Sequence, residues 1–172
     1  RDGEGVPTRR QTLVEQGRLV GSLWSTRDAA QQVAEGRIEH AQTNGCAVRG
    51  GHQSPPSTGC SDLQMISSVK SSSQEALLER MEEGYIVHSV MGAHTANPTS
   101  GDFSVTTSTL LRVEGGEVIG PVKQAGLSGN LAKALSNDVH LGDEVRVQGS
   151  YSSGNMHLPD VLLMQGLRIN PV

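Results

Sequence analysis

The sequence predicts an α+β fold rich in strands, in which β-hairpins form one or two curved mixed sheets or a half-open barrel with one or two flanking helices. Glycine supplies 21 of the 172 residues, which favours turns and short strands over long helices. Tight turns at Gln16 and Gly17, and again at Gly115 and Gly116, separate extended segments and predict two hairpins. A capping box that begins at Ser72 predicts one longer helix.

The length and charge of the chain limit its organisation and its partners. One domain spanning residues 1–172 is expected, with a core of Val, Leu, Ile, Met and Ala because aromatic residues make up only 2%. A net charge of −4 argues against non-specific nucleic-acid binding, which needs a basic face. No apolar run reaches the ~20 residues of a membrane-spanning helix. Neither nucleic acid nor a membrane is therefore an expected partner.

The first third of the chain predicts short elements around a long loop. Residues 11–14 and 18–24 are expected to be paired strands, and residues 26–35 a short helix that is capped near Ser25 and ends at Gly36. Residues 37–62 lack periodicity and are expected to form a long loop, which in compact domains is usually functional or mobile. Its two cysteines, Cys46 and Cys60, are expected to be reduced cytosolic thiols, with a local disulfide as the alternative.

The rest of the chain predicts a strand-rich unit with two helices. The longer helix is expected over residues 73–83, with Ser72 as its N-cap, Glu75 completing the capping box and Gly84 ending it. Asn130 is expected to cap a second, shorter helix. The other predicted elements are strands over residues 63–69, 85–90, 103–113 and 118–119, helical turns over 131–135, an extended segment over 139–147, a turn over 151–154 and a closing strand over 161–169.

The two predicted hairpins resemble each other in sequence. Residues 14–21 align with residues 113–120, and valine, glutamate and two glycines recur at the same spacing. Internal duplication and two independent hairpins with the same turn chemistry both explain this match. Either origin predicts two similar β-hairpins.

Residues 91–131 contain an ordered series of motifs: Asn97-Pro98-x-Ser100-Gly101-Asp102-Phe103-Ser104, Val113-Glu114-x-Gly116-Glu117-Val118, Pro121-Val122 and Ser128-Gly129-Asn130-Leu131. This series resembles the C-terminal domain of the TldD/PmbA family, zinc metallopeptidases once described as modulators of DNA gyrase. The start of the chain also matches the family pattern, at Asp2, Glu4, Gly5 and Pro7. Asp62 departs from the pattern, since the family usually has asparagine at this position. The resemblance implies that residues 1–172 are the C-terminal part of a two-domain subunit whose N-terminal α/β part is absent.

The resemblance also implies a zinc site, but this chain lacks its parts. The family uses HExxxH on a helix and a cysteine from the C-terminal domain. No such histidine motif occurs here, and no cysteine follows Gly129. The resemblance therefore implies a non-catalytic TldE-like subunit, without a cofactor of its own, in a cytoplasmic complex that cuts unfolded peptides. Zinc is expected on a TldD-like partner or on an upstream segment, and the dimer is formed with that partner or with a second copy.

Two other functions remain open from the sequence alone. The chain is either a peptide-binding module without hydrolysis or part of a catalytic zinc subunit whose HExxxH motif lies upstream.

The strand after the Asn97–Pro98 turn is mostly polar and β-branched, which suits either peptide capture by β-augmentation or an ordinary half-exposed strand. Asp102 is expected to orient a substrate amide or to accept from N–H groups of the turn. The candidate substrate-binding residues are His94, Asn97, Gly101, Asp102 and Ser104.

Overall fold

A computed structural model describes residues 1–40, 42–67, 70–150 and 154–171 of the chain. It confirms a strand-rich α+β fold. None of the helices in these parts of the chain is long and apolar enough to cross a membrane. The helices are α1 (Thr26–Ala34), α2 (Gln74–Met81) and α3 (Leu131–Leu135). The strands are β1 (Val14–Glu15), β2 (Arg18–Leu19), β3 (Ala47–Val48), β4 (Ser57–Thr58), β5 (Asp62–Gln64), β6 (Gly84–Met91), β7 (Asp102–Glu114), β8 (Glu117–Val122), β9 (Ala125–Asn130), β10 (Val139–Ser150), β11 (Gly154–Leu163) and β12 (Leu167–Pro171).

Contacts divide the chain into two compact units. The first unit comprises Arg1–Ser68 and Arg146–Leu158, and the second comprises Val69–Val145 and Pro159–Val172. Strands β10 and β11 contribute residues to both units because each strand runs through the boundary.

The first unit is built from short strands around helix α1. Strands β1 and β2 form an antiparallel hairpin, β3 pairs with β4, and β5 runs parallel to residues 155–157 of β11. Ser25 caps α1: its hydroxyl accepts from the Asp28 N–H at 3.1 Å and donates to the Asp28 carboxylate at 2.6 Å. Both Ser25 and Ala29 are 1% exposed, so the first turn of α1 lies in the core of this unit.

The second unit contains an antiparallel five-stranded sheet. Its order is β12-β9-β7-β6, and β8 pairs with the part of β7 that β9 does not reach. Val105, Leu110 and Val113 of β7 and Leu127 of β9 form much of the core. Central β7 therefore positions most of the apolar side chains of this unit.

Both predicted hairpins are present and their turns have the same backbone geometry. Gln16 and Gly17 have φ angles of 49° and 76°, and Gly115 and Gly116 have φ angles of 60° and 78°. Two consecutive positive φ angles define a type I′ turn, which matches the twist of the strands it joins. Their surroundings differ: Val14 beside the first turn is 58% exposed, whereas the aligned Val113 is completely buried.

Helix α2 begins and ends at different residues from those predicted. Ser73 is the N-cap, and its hydroxyl accepts from the Ala76 N–H at 3.3 Å. The predicted cap, Ser72, forms an isolated bridge with Gly142, so its backbone hydrogen-bonds to β10 instead. The helix ends at Met81 because Glu82 adopts a positive φ of 55°.

The structure differs from the sequence predictions at three further places, each of which concerns where strands form. The predicted loop over residues 37–62 contains the β3–β4 ladder. Strand β9 was not predicted, because its glycine-rich sequence lacks the usual strand residues. The predicted strand over residues 161–169 is two strands, since Gly166 turns the chain with a φ of 91°. The predicted strand over 63–69 is β5, and residues 68 and 69 lie outside the described part, as does most of the predicted 151–154 turn.

Candidate functional site

The turn that precedes β7 is organised by Asn97. Its side-chain oxygen accepts from the Thr99 N–H at 2.9 Å and from the Ser100 N–H at 3.0 Å. Its backbone oxygen accepts from the Gly101 N–H at 2.9 Å, and its own N–H donates to the Asp102 carbonyl at 2.9 Å. Gly101 has a φ of 77°, a conformation that glycine adopts without steric cost. The turn N–H groups that Asp102 was expected to bind are therefore bound by Asn97.

Asp102 is held by side chains instead. Its carboxylate accepts from the Ser100 hydroxyl at 2.7 Å and from the Asn130 amide at 2.7 Å. The same Asn130 amide donates to the Ser100 carbonyl at 2.8 Å, and its oxygen caps α3 by accepting from the Lys133 N–H at 3.0 Å. Asn130 thus caps α3 as predicted, and it also connects the turn to the start of this helix.

The hydrogen bonds that Ser100 and Asn130 donate to the Asp102 carboxylate make the turn sensitive to acidic pH. Hydrogen bonds from Asn130 and Ser100 hold the pKa of Asp102 below its ordinary value of 3.8. A depressed pKa in the folded state means that the carboxylate stabilises the turn fully above the unfolded pKa, and that this contribution is lost as the pH falls through the folded pKa. We expect the NMR resonance of the Asn130 side-chain amide to shift with protonation of Asp102 below pH 3.8.

The matched control is Asp102→Asn, which has no proton to gain at this position. The same Asn130 resonance is expected to stay constant in this variant over the same pH range. An equal shift in both proteins would show that another group controls the turn.

An apolar groove lies beside this turn, in the second unit, with a volume of about 340 Å³. Phe103 and Val105 of β7 and Leu127 of β9 line one part of it, and Leu131 of α3 lines another. Leu131 is 52% exposed even though it is apolar. The other lining residues are Val90, Ala93, Ala96, Asn97, Pro98 and Gly101.

The structure separates the five predicted substrate-binding residues. Asn97 and Gly101 line the groove, whereas His94, Asp102 and Ser104 are not among its lining residues. His94 is exposed in a 3₁₀ turn over Ala93–Thr95, and Ser104 is exposed on β7. A role for any of the five in substrate binding stays a prediction.

The apolar residues of the groove were not proposed as a site from the sequence. One signal was available: Phe103 and Val105 alternate with polar residues along β7, which places both side chains on one face. The contribution of Leu131 and of the 3₁₀ turn depends on long-range packing, so local periodicity gives no indication of it.

Strand β7 has neighbouring strands on both sides at Thr106 and over residues 110–113, which disfavours β-augmentation at those residues, whereas residues 102–105 pair with β9. Thr106 pairs with both β6 and β9, and residues 110–113 lie between β6 and β8. A peptide strand added there would have to displace one of these neighbours. The side chains of Ser104 and Ser108 on β7 are exposed.

The described residues do not fit a zinc site. Zinc is held by three or four Cys, His, Asp or Glu side chains. Within residues 1–40, 42–67, 70–150 and 154–171, no three such side chains come close enough to hold a metal ion. His157 and Asp62 approach to 3.0 Å in the first unit, but this contact supplies two groups only.

Comparison with known proteins identifies relatives of the whole chain. Residues 1–169 match the model of the PmbA/TldA metallopeptidase C-terminal domain. An uncharacterized protein of Methanocaldococcus jannaschii is 30% identical over 142 residues, which is 83% of this chain and 30% of that protein.

Two solved structures share the fold. TldE from Thermococcus kodakarensis has 27% identity and a TM-score of 0.75, over 99% of this chain and 35% of that one. A candidate modulator of a DNA gyrase from Thermotoga maritima has 28% identity and a TM-score of 0.74, over 97% of this chain and 35% of that one. The chain spans about a third of the length of these relatives.

Proposed function

Because the chain belongs to the PmbA/TldA metallopeptidase C-terminal domain family, as its motifs predicted, we propose that it is the C-terminal domain of a TldD/PmbA-type peptidase complex that cuts unfolded peptides. In this proposal the chain is part of the non-catalytic TldE-like subunit and contributes peptide-binding surface. The observation that carries the proposal is the apolar groove beside the Asn97 turn.

The groove suits a side chain of an unfolded peptide. Unfolded segments expose apolar side chains that folded proteins bury, and a concave apolar surface removes such side chains from water. Eight of the ten lining residues are apolar, namely Val90, Ala93, Ala96, Pro98, Phe103, Val105, Leu127 and Leu131. Recognition by apolar contact makes little demand on sequence, as a peptidase for unfolded chains requires.

The cysteine distribution supports the non-catalytic part of the proposal. Both cysteines, Cys46 and Cys60, precede the second unit, and none occurs after Gly129, where the family resemblance would place a zinc ligand. Zinc would then be held by a TldD-like partner subunit.

The groove is tested by a matched pair of substitutions in α3. Leu131→Gln and Leu135→Gln each replace a partly exposed leucine, with exposures of 52% and 44%, but only Leu131 lines the groove. Burial of half a leucine side chain contributes about 1 kcal/mol, so Leu131→Gln is expected to weaken binding of a fluorescent casein-derived peptide about fivefold. Leu135→Gln is expected to leave the affinity within about twofold of the parent value.

Equal loss in both variants, or none in either, would contradict the assignment of the groove. Far-UV circular dichroism of both variants checks that the overall secondary structure is retained. Glutamine is a good helix former, so the fold is expected to tolerate both changes.

The subunit assignment is tested on the full-length product. Zinc is measured per chain by elemental analysis, and peptide hydrolysis is measured with and without a TldD-like protein. No zinc on this subunit, with hydrolysis only in the mixture, is the expected result. About one zinc per chain would instead support a catalytic subunit with HExxxH upstream. Peptide binding with no hydrolysis in any combination would support a binding module.

A further inference from the structure

A second depression, in the first unit, differs in chemistry from the apolar groove. It has a volume of about 350 Å³ and is lined by residues from three segments, 9–11, 21–24 and 38–44. Most of its lining is polar, but it includes Trp24, the sole tryptophan in the sequence. The peptidase proposal makes no use of this depression, which we name the Trp24 pocket.

Hydrogen bonds fix the interior of the Trp24 pocket. The Asn44 side-chain amide donates to the Gln11 side-chain oxygen at 2.8 Å and to the Ser22 backbone carbonyl at 2.6 Å, and its oxygen accepts from the Trp24 backbone N–H at 2.8 Å. The Gln11 side-chain amide in turn donates to the Asn44 backbone carbonyl at 2.5 Å. These hydrogen bonds hold Gln11, Ser22, Trp24 and Asn44 together, so this part of the lining is ordered before a ligand arrives.

Arg9 gives the Trp24 pocket a positive charge. Arg9 and His40 are both exposed lining residues, and none of the lining residues carries a carboxylate. Among the described residues, no carboxylate lies within ion-pair distance of the Arg9 guanidinium. A guanidinium with free N–H donors presents a planar fork that matches a carboxylate. This local positive charge contrasts with the net charge of −4 of the chain.

We propose that the Trp24 pocket binds a small carboxylate that carries an apolar body. Arg9 pairs with the carboxylate, and the side chain of Trp24, a half-buried lining residue, packs against the apolar part of the ligand. The side-chain amides of Gln11 and Asn44 are occupied by hydrogen bonds within the protein, so they shape the pocket and leave recognition to Arg9 and Trp24. This site is independent of the apolar groove and of the peptidase role.

Trp24 itself reports on the proposed site because no other tryptophan contributes fluorescence. The chain is titrated with N-acetyl-leucine, its neutral analogue N-acetyl-leucinamide and inorganic phosphate, and calorimetry provides an independent binding measurement. N-acetyl-leucine is expected to bind with a Kd of about 1 mM or below. Binding of the amide is expected to be about tenfold weaker, because it lacks the charge that Arg9 recognises.

The matched variants are Arg9→Gln and Arg18→Gln. Arg18 is an exposed arginine of β2 in the same unit, and it does not line the pocket. Arg9→Gln is expected to weaken binding of N-acetyl-leucine about tenfold, and Arg18→Gln to leave it unchanged. Equal effects of both substitutions, equal affinity for acid and amide, or no binding by either method would overturn the proposal. Tighter binding of phosphate than of N-acetyl-leucine would also overturn it, since phosphate has no apolar body.

Discussion

Replacing Thr107 by valine is expected to destabilise the second unit by about 2–4 kcal/mol. Thr107 is completely buried in β7, and its hydroxyl accepts from the Ala125 N–H at 2.9 Å and donates to the Ala125 carbonyl at 3.1 Å. The regular pairing of β7 with β9 ends one residue earlier, at Thr106 and Gly126. Valine fills the same volume but leaves both groups of Ala125 without these hydrogen bonds in a buried position. Urea unfolding followed by far-UV circular dichroism measures the loss.

The control is Thr107→Ser, which keeps the hydroxyl and removes only a methyl group. Its cost is expected to be about 1 kcal/mol, the value of one buried methyl group. A loss for Thr107→Val no greater than that for Thr107→Ser would show that the hydroxyl does not hold β9 to β7.

Replacing Gly45 by alanine is expected to destabilise the first unit by about 2–5 kcal/mol, because two costs add at this residue. Gly45 has a φ of 75°, and a Cβ built on it would lie 2.6 Å from the Pro7 carbonyl oxygen. Because that oxygen belongs to the backbone, the chain itself must move. Asn44, the neighbouring residue, bonds to Trp24, so tryptophan fluorescence during urea unfolding reports the change.

Gly36→Ala separates the two costs. Gly36 has a similar φ of 70°, but a Cβ there would meet nothing within 4 Å. The backbone cost of a positive φ is therefore expected in both variants, at about 1–2 kcal/mol, and the steric cost only at Gly45. Equal destabilisation of the two variants would mean that the first unit accommodates the added methyl group freely.

Sequence reasoning succeeded where local chemistry determines the structure. The positive φ angles at Gly17, Gly115 and Gly116 follow from turn chemistry alone, and Asn130 caps α3 as predicted. The N-cap of α2 moved by one residue because Ser72 takes part in a bridge to Gly142. A single strong local signal was overridden there by a tertiary hydrogen bond.

The candidate site was less accessible to such reasoning. The motif identified the Asn97 turn, but the groove beside it combines residues from β6, β7, β9 and α3, which only the folded chain brings together. The role assigned to Asp102 shows the same limit. Its sequence position next to Gly101 indicated bonds to turn N–H groups, whereas its partners include Asn130, which is 28 residues away.

The two hairpin turns also differ in how well each would accept foreign sequence. Gly116 is anchored: its N–H donates to the Glu82 carbonyl at 2.9 Å, and an added Cβ would lie 3.2 Å from the Glu79 Cα. An added Cβ at Gly17 would meet nothing within 4 Å, and Leu19 nearby is 77% exposed. An epitope or a fluorophore inserted between Gln16 and Gly17 would therefore protrude into solvent. This turn is a better insertion site than the Gly115–Gly116 turn for immobilising or imaging the protein.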